Sequence, residues 1–70
     1  MFEVNAKNVR EALFKRGWSL SEFARNARLH DKTCRSLLRG ARVTIKTVAV
    51  AAAALGVDPE SLILGGEAHD

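Results

Sequence analysis

Apolar residues recur along the chain at helical spacing, in short bursts that each end at a glycine. Val9, Ala12 and Leu13 stand at i, i+3 and i+4 and make one buried stripe. Asn5 is placed to cap that helix, with Val4 and Val9 as a hydrophobic staple, and Gly17 to end it. Ser19-Leu20-Ser21-Glu22 is a capping box, and Trp18 and Phe23 form a second staple around it. The second helix therefore runs over 20–27, with Leu20, Phe23, Ala24 and Ala27 inward. A third covers 31–39, with Cys34, Leu37 and Leu38 inside, Lys32, Arg35, Ser36 and Arg39 outside, and Gly40 as its stop. Thr44 caps a fourth over 45–55, stopped by Gly56. Asp58-Pro59-Glu60 reads as cap, proline at the first helical position and an acid in the first turn, so residues 61–64 make a short fifth helix. Strand signals are nearly absent; only 42–45 could be extended. The pattern predicts an all-α domain of five short helices over residues 1–64, then a flexible tail over 65–70.

Seventy residues give one small domain with a thin core, leaving little room for a deep substrate pocket. The longest apolar run, 48–55, is far short of the ~18 residues of a membrane span. One cysteine, Cys34, cannot make an intramolecular disulfide, which favours the cytosol.

The net charge of +3 conceals a division. Residues 1–46 carry all 11 Lys and Arg and four acids (Glu3, Glu11, Glu22, Asp31), a balance of +7. Residues 47–70 carry only Asp58, Glu60, Glu67 and Asp70, a balance of −4. The stretch 25–46 alone reaches +6, which fits a polyanionic partner as well as it fits a solvated face.

Two short helices joined by about three residues, the second basic on its outside, meet the demands of a helix-turn-helix. Ala24 is small enough for a close crossing, and Phe23, Ala27, Leu29, Cys34 and Leu37 fill the angle between the helices. The third helix is then free to enter a major groove about 12 Å wide.

The stretch Trp18-Ser19-Leu20-Ser21-Glu22-Phe23-Ala24, through Leu37-Leu38-Arg39-Gly40, with Leu55-Gly56-Val57-Asp58 beyond, resembles the phage-repressor and Cro-type (XRE) helix-turn-helix family. The likeness covers roughly residues 6–64. It implies a compact, five-helix, lambda-repressor-like DNA-binding domain, a cytoplasmic bacterial or phage-encoded transcriptional regulator acting on double-stranded DNA as a homodimer, with no cofactor. The resemblance puts base-reading positions on Asp31, Lys32, Arg35 and Ser36. It puts phosphate contacts on Ser19, His30, Arg39, Arg42 and Lys46, and Arg28 adds charge near the backbone. The chain departs from the family pattern in Leu20, where glutamine is frequent, in Arg28, where the turn has glycine, and in lacking a proline before the fourth helix. Asp31 either accepts from a cytosine amine or caps its helix and favours the helix dipole.

The same fold also serves as a protein-interaction module, or as an antitoxin or excision-type accessory factor. Residues 47–55 carry no charge; Val48, Ala51, Ala52 and Leu55 suffice for one buried stripe, and Ala49, Val50 and Ala53 lie elsewhere. That second face is either alanine used as a surface helix former or a dimer contact built from Val50 with Leu62, Ile63 and Leu64. Cys34 and His30 share a helix face, but a four-ligand metal site has only His69 to add, so Cys34 reads as core. No set of residues supports catalysis, and no metal or small-molecule substrate is expected.

Overall fold

Local capping sets the helix boundaries. The computed structural model describes residues 1–66, with four α-helices: α1 (Ala6–Arg16), α2 (Leu20–Ala27), α3 (Asp31–Arg39) and α4 (Ile45–Leu55). Asn5 and Thr44 accept through their side chains from the amides of Asn8 and Thr47. The capping box forms in full: Ser19 Oγ accepts from the Glu22 amide at 3.2 Å, and Glu22 Oε1 accepts from the Ser19 amide at 2.8 Å. These bonds satisfy amides that no helical carbonyl reaches. α1, α3 and α4 each end at a left-handed glycine, Gly17, Gly40 or Gly56. Gly40 has a second reason to be glycine: a Cβ there would stand 3.2 Å from the Val4 carbonyl oxygen, a tight contact where the N-terminal strand passes the end of α3.

The fifth helix is a single 3-10 turn, Pro59–Leu62, capped by Asp58. Beyond it the chain does not continue as helix. Residues Ile63–Gly66 form strand β3, which pairs antiparallel with β1 (Phe2–Val4); β1 also pairs with β2 (Arg42–Val43), giving the order β2-β1-β3. The fold is thus mostly helical with a small sheet, not all-α. The physical reason is that Val4 and Asn5 must satisfy backbone amides at the mouth of the core. They donate to the carbonyls of Ala41 and Leu62, at 3.3 and 2.8 Å. Pairing of Gly65 and Gly66 with Glu3 and Phe2 carries the folded unit past the expected boundary at residue 64. The rest of the expected tail, 67–70, lies outside the described residues.

The core gathers the predicted stripes. Val4, Val9, Phe23, Cys34, Leu37, Val48 and Leu62 are fully buried, and Ala12, Ala24, Ala27, Ala51 and Ala52 let the helices approach closely. α2 packs against both α3 and α4, and α1 against α3. Leu62, expected in a dimer contact, is instead 1% exposed, because the 3-10 turn drives it back against α4 and α1. It belongs to the interior and is not available to a partner. Leu64 is 63% exposed, and Val50 and Ile63 pack partly on the core.

The Glu22 carboxylate is held below the usual glutamate range, first by the Ser19 amide and then by the Ser19 hydroxyl. A carboxylate whose folded pKa is depressed adds stability above its unfolded pKa and loses it as pH falls through the folded value. Glu22→Gln keeps an acceptor but cannot titrate, so its urea midpoint should vary less than that of the wild type as pH drops below the ordinary glutamate range. Ala24 is 6% exposed among these contacts. Ala24→Leu should destabilise the fold by about 1–3 kcal/mol in urea titration through overpacking; an unchanged midpoint would mean that α2 does not cross at this residue.

Candidate nucleic-acid interface

α2 and α3 are joined by Arg28, Leu29 and His30, and the turn is made by backbone geometry. Arg28 adopts φ 58° and ψ 43°, and among the described residues it alone has positive φ without being glycine. The Leu29 amide then donates back to the Ala24 carbonyl at 3.0 Å, and Leu29 itself packs on the core. This conformation strains an L-residue. His30 occupies the cap position of α3 but makes no side-chain capping bond. Asp31 is therefore the first helical residue and not the cap expected as one of its roles. As an acid in the first turn it still favours the positive end of the helix dipole.

α3 presents two unlike faces. Cys34 and Leu37 are buried, while Asp31, Lys32, Arg35 and Arg39 are exposed. Ser36 is half-buried, and its hydroxyl donates to the Lys32 carbonyl at 3.1 Å. Burial, then the Asp31 charge, pushes the Cys34 thiol up, as suits a core residue. Among the described residues no three His, Cys, Asp or Glu side chains come together to hold a metal, and no helix is long and apolar enough to cross a membrane.

The other expected contact residues flank α3. Ser19 is exposed but engaged within the capping box. Arg28 and His30 are exposed on the turn, Arg42 lies on β2 just past Gly40, and Lys46 is exposed in the first turn of α4. Further along α4, Ala49 and Ala53 are exposed and no cation follows Lys46. The basic and uncharged surfaces are thus divided along the chain as the sequence has them.

Three side chains of α1 went unassigned in the sequence. Arg10 Nη1 donates to the Leu38 carbonyl at 3.0 Å, Arg16 Nε to the Leu55 carbonyl at 3.1 Å, and Asn8 Nδ2 to the Ser61 carbonyl at 2.7 Å. The Arg16 guanidinium also lies 5.2 Å from the Trp18 ring centroid and closes over Gly56. These bonds join residues 28 to 53 apart, so no local spacing announces them.

A family model described as helix-turn-helix matches residues 7–62. No curated protein and no solved structure gives a significant match. The match spans most of the chain and both helices of the turn, and the chain belongs to the helix-turn-helix family of the Cro/XRE type, a family of DNA-binding domains.

Proposed function

We propose that the protein is a sequence-specific transcriptional regulator of the repressor kind, working in the cytoplasm, which lays α3 in the major groove of double-stranded DNA. The observation that carries this reading is the exposed cationic face of α3, held on a buried stripe inside the +6 stretch 25–46. A helix fits the major groove, where base edges differ in their donors and acceptors. Lys32 and Arg35 suit guanine acceptors, Ser36 offers a hydroxyl one turn on, and Asp31 accepts from a cytosine amine or serves the helix dipole. Ser19, Arg28, His30, Arg39, Arg42 and Lys46 hold the register on phosphates, releasing counterions as they do. The charge-free side of α4 at Val50, with Ile63 and Leu64, serves self-association, and a dimer places two copies of α3 about 34 Å apart, one turn of DNA.

One observation favours a second reading. Asp31 is exposed at the leading end of α3, where phosphates would repel it, and a protein-interaction module or accessory factor on this fold would accommodate it. Selection of bound duplexes from a random pool separates the two. The proposal expects enriched sequences with paired half-sites and an affinity that falls steeply with salt; no enrichment and no salt dependence would refute it.

Two variants sharpen the assignment. Arg35→Ala should weaken binding to the selected duplex by about 1–3 kcal/mol and relax preference at one base pair. Equal weakening on every sequence would move Arg35 to the phosphate contacts. Arg28→Gly relieves the left-handed strain, so stability in urea should rise by about 0.5–1 kcal/mol. Its salt slope for DNA binding should meanwhile fall by about one, the mark of a lost phosphate contact.

A further inference from the structure

The C-terminal carbonyls of α3 lie past the last helical amides, and those of Ser36, Leu37 and Leu38 are supplied from two sources. The Ala41 amide donates to Ser36 at 3.0 Å and the Gly40 amide to Leu37 at 3.2 Å, both from the chain just ahead. The Leu38 carbonyl receives Arg10 of α1 instead. Arg10 is rooted beside Val9, which is fully buried, and one turn before Leu13, which is also in the core. Its guanidinium thus ties the rigid part of α1 to the trailing end of α3, where a positive charge also suits the helix dipole.

Cys34 and Leu37 hold the inner stripe of this nine-residue helix against the core, and Arg10 adds a tether at its trailing end. Leu38 is seven residues from Asp31, so at 1.5 Å per residue the tether lies about 10 Å behind the leading end. Rotation of α3 about its inner stripe moves Lys32, near the leading end, further than Arg35, and a binding constellation tolerates only about 0.5 Å or 10–20° of error.

We propose that Arg10 is a specificity-determining positioning residue: through the Leu38 carbonyl it fixes the pose of α3, and it touches no DNA itself. This rests on the reading of α3 as the DNA-reading helix. The test compares the full-length wild type, Arg10→Met and Lys7→Ala for affinity to the selected duplex and to random duplex over a salt series, alongside amide hydrogen exchange of the free protein. Lys7→Ala removes one charge from the exposed side of the same helix. Arg10→Met should lower the ratio of specific to random binding about three- to tenfold, the range of one ordinary hydrogen bond, with the salt slope unchanged. Lys7→Ala should leave the ratio as in the wild type. Exchange at Arg39, Gly40 and Ala41 should quicken in Arg10→Met while amides in α2 and α4 hold, which a general loss of stability would not produce. An unchanged ratio in a folded Arg10→Met protein, or a salt slope reduced by about one, would overturn the proposal, the latter by making Arg10 a phosphate contact. A wild type that prefers no duplex over any other would sink the DNA-reading proposal itself, before any variant is compared.

Discussion

Everything that the outer side of α3 does depends on how closely α2 and α3 cross. Ala24, Ala27, Phe23 and Leu37 are buried where α2 packs on its neighbours, and the left-handed Arg28 turns the chain from α2 to α3 in three residues. A larger residue at the crossing or a longer turn would let α3 sink or swing, and its cationic face would lose its bearing. The strain at Arg28 is accepted because the Leu29 amide is bonded back to α2 and its side chain packs on the core.

Charge and packing divide the molecule along the chain. The first three helices carry the cations outward while sharing their apolar stripes inward, and α4 closes the core with alanines and carries no charge beyond Lys46. The sheet then stitches the two ends: β1 lies between β2, which follows α3, and β3, which follows the 3-10 turn. Leu38, Leu55 and Ser61 present carbonyls that α1 side chains satisfy, so α1 is the element to which the trailing ends of α3, α4 and the final turn are all fastened.

Much of this was legible in the residues. Caps, staples and glycine stops are local, and each predicted boundary of α2, α3 and α4 matches the structure. Spacing alone placed Cys34 and Leu37 inside α3 and Lys32, Arg35 and Arg39 outside, while Leu38, expected inside, and Ser36, expected outside, are both half-buried. What escaped was non-local. Three strands of two to four residues are too short to show alternation, and they exist because distant segments meet. The last apolar residues alternate between core and solvent instead of forming a helical stripe: Leu62 turns inward, Ile63 is half-buried and Leu64 turns outward, so Leu62 is lost to a partner. Arg10 and Arg16 are exposed, and their bonds go to carbonyls that only the fold brings near.

The central claim is that α3 and its flanking cations are the surface that meets DNA. Amide chemical shifts of the nitrogen-15-labelled protein, followed as a selected duplex is titrated in, test this most directly. Changes should concentrate at the start of α2, the turn at Arg28, the leading half of α3 and residues 39–46, with Ala49 and Ala53 on α4 little affected by the duplex itself. Changes centred on α1 or on the 3-10 turn, with α3 silent, would contradict the account.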